Sequence, residues 1–201
     1  MATLEPLVRV TGTATPLPLD SIDTDVITPM HRVMDGTIVE HAFETLRTGP
    51  DGSPIPNPFD DPRHADDEIL VTGANFGCGS SRETAVWAIR GMGYRVVIAE
   101  SFGDIFFANC FKNAVLPVVL PPAEVGHLLR VAEQGMPVTV DLEDCTVATG
   151  ERTIAFRVPA LRRTALLEGL DDLDVALRMD DRITAFEDAD RAARPWVQLG
   201  R

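Results

Sequence analysis

The chain lacks several features that would assign it to common functional classes. It has three cysteines in 201 residues, with no Cys-x-x-Cys pair, which argues against a disulfide framework and makes this chain a poor host for an iron-sulfur cluster. The chain has only 18 Lys and Arg but 31 Asp and Glu, and its net charge of -13 argues against a nucleic-acid ligand. No apolar run approaches the roughly 20 residues of a membrane span, and the N-terminus has no basic stretch before an apolar segment. We therefore expect a soluble protein of the cytoplasm that binds neither membranes nor nucleic acids.

The hydrophobic pattern predicts an α/β fold. A hydrophobic content of 45% is enough for one domain over residues 1–201. Apolar strands and amphipathic helices alternate through the middle of the chain, which indicates parallel strands with right-handed crossovers. The predicted strands lie near 7–12, 25–29, 68–72, 95–99 and 114–120, and the predicted helices near 81–92, 103–111 and 123–134. A long proline-rich loop is expected at 48–67, a hairpin between 138–142 and 153–158 with its turn at 148–151, and a helical tail over 159–201.

The strongest functional signal is the glycine-rich segment at 71–83, which reads Val-Thr-Gly-Ala-Asn-Phe-Gly-Cys-Gly-Ser-Ser-Arg-Glu. It joins a predicted strand to a predicted helix, and its glycines permit positive φ and close approach of a ligand to the backbone. Helix-terminal amides favour anions, and Arg82 can bind a carboxylate through two parallel hydrogen bonds. Ser80 or Ser81 could cap the helix or act as a base. The segment therefore predicts a site for a carboxylate substrate.

Two familiar glycine loops do not fit this segment. A phosphate loop requires a lysine that is absent, and a dinucleotide loop requires a third glycine where Arg82 stands. The simpler alternative is a serine helix cap next to a surface arginine.

The full sequence of residues 75–83 favours a substrate site over a simple helix cap. Residues 75–83 resemble the signature of the 3-isopropylmalate dehydratase small subunit family, relatives of the swivelling domain of aconitase. Similar segments extend along the chain at 23–25, 51–54, 95–99, 101–102, 109–113, 161–163 and 169–171. The resemblance implies a single aconitase-like swivelling β/β/α domain, with a mixed, partly parallel sheet or barrel flanked by helices.

The family's activity is implied in the same way. Its members are hydro-lyases that interconvert 2-isopropylmalate and 3-isopropylmalate through isopropylmaleate in leucine biosynthesis. The resemblance implies that this chain binds no metal itself and works with a large subunit that carries a [4Fe-4S] cluster, as a heterodimer or a larger assembly. Two alternatives stay open. The chain could serve a related hydro-lyase for a citraconate-type or dimethylmaleate-type substrate, or it could be a non-catalytic interaction module of the same fold.

The resemblance also assigns roles to individual residues. Ser80 corresponds to the catalytic base, acting as an alkoxide. The residues implied to hold or surround the substrate are Gly79, Ser81, Arg82, Asp23, Thr24 and Asp25. For the Asp-Thr-Asp segment, a polar turn held by side chain to backbone hydrogen bonds is an equal alternative.

Substrate choice is expected to depend on Arg32, Val33 and Met34. The family usually has an aromatic residue where Arg32 stands, and homoaconitase-like relatives have an arginine where Met34 stands. An apolar Met34 favours a branched alkyl substituent over a third carboxylate, although Arg32 could bind a carboxylate if the loop were shifted. Thr84 replaces a histidine that is common in the family and is expected to alter hydrogen bonding around the site.

Overall fold

The computed structural model describes residues 4–150 and 152–197, and within them it contains two four-stranded sheets and nine α-helices. The strands are β1 (Arg9–Gly12), β2 (Ala14–Leu17), β3 (Ile69–Thr72), β4 (Val96–Ala99), β5 (Leu116–Val119), β6 (Val138–Asp141), β7 (Thr146–Ala148) and β8 (Thr153–Ala155). The helices are α1 (Thr24–Ile27), α2 (Met30–Asp35), α3 (Glu44–Arg47), α4 (Thr84–Gly91), α5 (Asp104–Lys112), α6 (Pro122–Glu133), α7 (Ala160–Glu168), α8 (Asp172–Leu177) and α9 (Asp180–Ala193).

One sheet is parallel and the other is antiparallel. The parallel sheet has the order β2-β3-β4-β5, and the antiparallel sheet has the order β1-β6-β7-β8. Every residue of β3 and β4 is buried, as expected for parallel strands covered on both faces. The predicted α/β class is confirmed, and the predicted elements from β3 to α6 agree within two residues except at the start of α4.

The parallel sheet separates two hydrophobic layers, because alternate residues of a strand point to opposite faces. Ile69 and Val71 pack with Leu128 of α6 and with the inner face of the antiparallel sheet. Leu70 packs in the other layer, with Ile89 of α4 and Phe106 of α5. The sheet is thus held between α4 and α5 on one side and α6 with the second sheet on the other.

Two predicted elements are wrong. Residues 25–29 do not form a strand, because the Asp23 side chain accepts a hydrogen bond from the Val26 amide (2.8 Å) and caps the short helix α1. The predicted hairpin after α6 contains a third strand, β7, which pairs with both β6 and β8. The predicted turn at 148–151 joins β7 to β8, and its last residue, Glu151, lies outside the described residues.

The proline-rich loop is anchored at its end by a buried polar network. Residues 48–67 contain one 3-10 turn, Pro62–His64, among otherwise irregular backbone. The His64 ring lies 2.7 Å from the Asp67 carboxylate, which accepts a hydrogen bond from Thr15 of β2 (3.0 Å). Tyr94 donates to the same threonine (3.0 Å), and burial raises the pKa of Tyr94 to about 12. This network ties the loop to the parallel sheet.

The C-terminal helices differ in how closely they pack. Helix α7 buries Ala165 and Leu166, and the Leu166 carbonyl accepts a hydrogen bond from the Leu7 amide (2.9 Å). Helices α8 and α9, whose residues are all described, bury none of them. Residues 198–201 of the predicted helical tail lie outside the described residues. Across 4–150 and 152–197, none of the helices has the length and apolar character to cross a membrane.

Candidate active site

The glycine-rich segment lies where the carboxyl ends of three parallel strands meet, the usual position of a ligand site in such sheets. Backbone hydrogen bonds fix it to the segments that follow β2 and β4. The amide of Gly73 donates to the Leu19 carbonyl (3.1 Å), and that of Gly77 donates to Ile22 (2.7 Å). On the other side, the Phe76 amide donates to the Ser101 carbonyl (3.0 Å). The fold therefore holds this loop on both flanks.

Two glycines of the loop are required by its shape. Gly77 and Gly79 have φ of +71° and +87°, in the left-handed region that favours glycine. A Cβ atom on Gly77 would overlap the ring of Phe106 in α5, and one on Gly79 would lie 3.3 Å from the Asp23 Cβ. A side chain is therefore excluded at Gly77 and would be tightly packed at Gly79.

The Asp-Thr-Asp segment lies directly against the signature loop. The Thr24 amide donates to the Cys78 carbonyl (2.9 Å), and its hydroxyl donates to the Ser80 carbonyl (3.1 Å). Asp23 caps α1, so its carboxylate is engaged in a local turn. Asp23 thus forms a polar turn, and Thr24 fixes the signature loop.

The Arg82 guanidinium contacts both Asp25 and Ser80. Its Nη1 donates to one Asp25 oxygen (2.5 Å), its Nη2 donates to the other (3.1 Å), and Nη2 also lies 3.5 Å from Ser80 Oγ. The Arg82 side chain is only 16% exposed, whereas the Asp25 side chain is 56% exposed. The structure thus places a largely buried guanidinium between a more exposed carboxylate and the hydroxyl of an exposed serine.

The predicted serine cap of α4 is wrong. The helix begins at Thr84, and its N-cap is Glu83, which makes no side-chain cap bond. The Glu83 carboxylate instead accepts a hydrogen bond from Asn113 at the end of α5 (2.9 Å). Ser80 and Ser81 lie in non-helical backbone before the helix, and both residues are exposed.

Thr84, the first residue of α4, lies beside the signature loop. Its hydroxyl is buried and has no hydrogen-bond partner within the described residues, while its carbonyl accepts a hydrogen bond from Thr28 (3.5 Å). An unpaired buried hydroxyl costs about 1–3 kcal/mol. The Thr84 side chain therefore adds no hydrogen bond beside the loop in the part of the chain that the structure describes.

The segment expected to set specificity is helical. Arg32, Val33 and Met34 lie on α2, and Met34 is 81% exposed. Arg32 does not point into open solvent, because its guanidinium donates twice to the carboxylate of Glu44. Glu44 was not predicted from the sequence, since a lone glutamate in a short helix belongs to no motif. Only its folded contacts identify it.

A cavity of about 800 Å³ lies next to Asp25. Its walls come from the α1 to α3 region and from the first part of the proline-rich loop. They are formed by Asp25, Pro29, Met30, His31, Glu44, Thr45, Thr48, Gly49, Pro50, Gly52 and Ile55. Since Asp25 both lines the cavity and contacts Arg82, the cavity continues the candidate site.

The cysteines of this chain do not fit an iron-sulfur cluster. Cys110 is fully buried inside α5, where burial raises the pKa of its thiol and disfavours the thiolate that binds iron. Cys78 lies in the signature loop, and Cys145 lies between β6 and β7. Among residues 4–150 and 152–197, no three His, Cys, Asp or Glu side chains are grouped to hold a metal ion.

Comparisons with known proteins find related sequences along the chain. The aconitase C-terminal domain family matches residues 4–123, and the C-terminal domain of the 3-isopropylmalate dehydratase small subunit matches residues 176–199. The chain is 43% identical to the 3-isopropylmalate dehydratase small subunit of Cereibacter sphaeroides and 44% identical to that of Dinoroseobacter shibae. Each alignment spans 201 residues, covering 96% of this chain and 100% of the relative.

A solved structure gives the same relationship. The crystal structure of 3-isopropylmalate dehydratase from Methanocaldococcus jannaschii superposes with a TM-score of 0.63 at 27% sequence identity. The superposition covers 89% of this chain and 99% of that chain.

Proposed function

This chain belongs to the 3-isopropylmalate dehydratase small subunit family, as its resemblance predicted, and from that premise we propose how its site performs the family's reaction. The chain functions as the small subunit of a hydro-lyase that isomerises 2-isopropylmalate and 3-isopropylmalate in leucine biosynthesis. The observation that supports a role in the reaction is the Arg82 guanidinium, which reaches both a carboxylate and the Ser80 hydroxyl.

Dehydration of isopropylmalate requires removal of a proton from a carbon next to a carboxylate. We assign this step to Ser80, whose exposed Oγ can approach a bound substrate. A serine hydroxyl is a weak acid, so its anion needs nearby positive charge. Arg82 Nη2, 3.5 Å away, supplies that charge and is always protonated.

The Asp25 carboxylate indicates how a substrate would bind. It accepts hydrogen bonds from both terminal nitrogens of the Arg82 guanidinium, and a substrate carboxylate could accept the same pair of hydrogen bonds. Asp25 is the more exposed partner, so it can turn towards solvent while Arg82 stays in position. We infer that the substrate carboxylate displaces Asp25 from Arg82, and that the exposed Ser81 hydroxyl and the Gly79 backbone complete the carboxylate site.

The remaining requirements of the reaction lie outside this chain. Because its cysteines do not fit a cluster, we propose that a large subunit supplies the [4Fe-4S] group and closes the site over the Ser80 face. The proposal takes residues 1–201 as one domain, which acts in the cytoplasm as part of a heterodimer or a larger assembly.

Replacing Arg82 by lysine tests the carboxylate role. Lysine keeps the charge but cannot form two parallel hydrogen bonds, so we expect KM for 3-isopropylmalate to rise roughly 10-fold or more. The measurement is steady-state kinetics of the complex with the large subunit. Arg9→Lys is the matched control, since Arg9 also binds an aspartate, Asp141, through two nitrogens but lies on β1 of the antiparallel sheet. An unchanged KM in Arg82→Lys would contradict the assignment.

Growth without leucine tests the function as a whole. A bacterial host that lacks both of its own 3-isopropylmalate dehydratase subunits should grow when this chain is expressed with its large subunit. Neither chain alone should restore growth, and added leucine should restore it in every strain. Failure of the pair to support growth, with both chains present and associated, would point to a related hydro-lyase or to a non-catalytic module.

A further inference from the structure

Glu44 is the centre of a charged cluster beside the cavity. It accepts a hydrogen bond from Arg32 Nε (3.0 Å) and another from Arg32 Nη2. The rings of His31 and His41 lie 3.5 Å and 3.4 Å from its two oxygens. The Arg32 and Glu44 side chains are 24% and 25% exposed, so this pair is largely shielded from water.

The carboxylate of this cluster, and not the guanidinium, faces the cavity. Glu44 and His31 line the cavity, while the Arg32 guanidinium is turned onto Glu44. The hydrogen bond from Arg32 lowers the pKa of Glu44, and the charge of Arg32 acts in the same direction against the opposing effect of burial. Glu44 is therefore ionised at neutral pH. It lies on the cavity wall with its charge paired to Arg32.

The rest of the wall contains apolar side chains of suitable size for a branched alkyl group. Met30 and Pro29 contribute from the start of α2, and Ile55 and Pro50 contribute from the proline-rich loop. A substrate whose carboxylate is bound by Arg82 would enter this cavity next to Asp25. Its substituent would then meet these apolar side chains.

We propose that Glu44 determines the class of substrate, because its carboxylate occupies the Arg32 guanidinium beside the cavity and withholds it from a carboxylate of the substrate. The cavity then accepts an alkyl substituent and rejects a substrate with a further carboxylate. This inference rests on the proposed function and deepens it. Specificity of this kind arises because the wrong substrate is denied a partner for its extra carboxylate. Without Glu44, Arg32 would be an unpaired cation beside the cavity, ready to bind a carboxylate.

Glu44→Gln tests the inference by a change in discrimination. In the complex with the large subunit, kcat/KM is measured for 3-isopropylmalate and for homoaconitate, which carries a third carboxylate. We expect the ratio of the two values to shift towards homoaconitate by about 10-fold or more. If Glu44 only stabilised the local structure, Glu44→Gln would lower kcat/KM for both substrates equally and leave their ratio unchanged. That result would overturn the inference.

Two further variants make the test specific. Glu40→Gln removes the same charge from an exposed neighbour that takes no part in the Arg32 contact, and it should leave the ratio unchanged. Adding Arg32→Gln to Glu44→Gln removes the released cation, so the gain with homoaconitate should disappear. A gain that persists in the double variant would show that Arg32 is not its source.

A binding measurement on the full chain alone separates this inference from the proposed function. The Nε–H signal of Arg32 in a nuclear magnetic resonance spectrum should respond to homoaconitate in Glu44→Gln and not in the unaltered chain. If the complex turns over neither substrate but this signal responds as expected, the proposed function fails and the inference on Glu44 stands. If the complex is active and the signal responds in neither chain, the inference fails and the function stands.

Discussion

Replacing Ser80 by alanine should lower kcat of the complex for 3-isopropylmalate by roughly 10²–10⁴-fold and change KM little. The change removes the oxygen that takes the proton and leaves the carboxylate contacts of Arg82 in place. The fold around the residue should persist, because the hydrogen bond to Ser80 from Thr24 ends on the main-chain carbonyl. The measurement is steady-state kinetics with substrate varied at a fixed concentration of large subunit.

The neighbouring hydroxyl provides the control for this variant. Ser81→Ala removes the same atoms one residue further along, in equally exposed non-helical backbone. Since we assign Ser81 to carboxylate binding, its loss should raise KM more than it lowers kcat. Retention of full kcat by Ser80→Ala would contradict the assignment of the base, and equal losses of kcat in both variants would show that the two hydroxyls are not distinguished.

Replacing Gly77 by alanine should destabilise the chain by roughly 2–5 kcal/mol. The left-handed backbone at φ +71° is unfavourable for alanine, and the new methyl group would overlap Phe106. That ring cannot easily move, because it packs edge-on against Phe76 at 5.3 Å between ring centres and is almost fully buried. The signature loop or α5 would have to shift, and activity should fall with stability.

The free energy of unfolding in denaturant measures this effect, and Gly36→Ala separates its two causes. Gly36 has the same φ of +71°, but a Cβ atom there would meet no other atom within 4 Å. Its replacement by alanine should therefore lower the free energy of unfolding only through the unfavourable backbone conformation, by about 1–2 kcal/mol. If Gly77→Ala costs no more than Gly36→Ala, the close packing of Phe106 against the loop is not as described.

The sequence predicted three strands of the parallel sheet, β3, β4 and β5, because they have strong local signals, and it missed β2. Strands β3 and β4 are short continuous apolar runs, and α6 has a clear amphipathic pattern. The errors lie where local signals are weak or compete. Apolar residues at 25–29 suggested a strand, but the Asp23 cap favours a helical turn. Strand β7 has only three residues, too few for alternation to be detected.

The site could be predicted only in part, for a related reason. The signature loop was identified from its glycines and its Ser-Ser-Arg-Glu string, and the Asp-Thr-Asp segment from the family resemblance. Their contact joins residues 57 positions apart, as in the Arg82 to Asp25 pair, and follows from strand order, which no local pattern encodes. The pairing of Arg32 with Glu44 likewise appears only once α2 and α3 have packed.

The most direct test of the proposed function is an anaerobic assay of this chain mixed with its cluster-loaded large subunit. The ultraviolet absorbance of the unsaturated diacid is followed with 3-isopropylmalate as substrate, and citraconate and homoaconitate are tested in parallel. We predict rapid conversion of 3-isopropylmalate, little reaction with the other two compounds, and no activity when either subunit is omitted. Absence of turnover with all three compounds, in a complex shown to contain both subunits and an intact cluster, would contradict it.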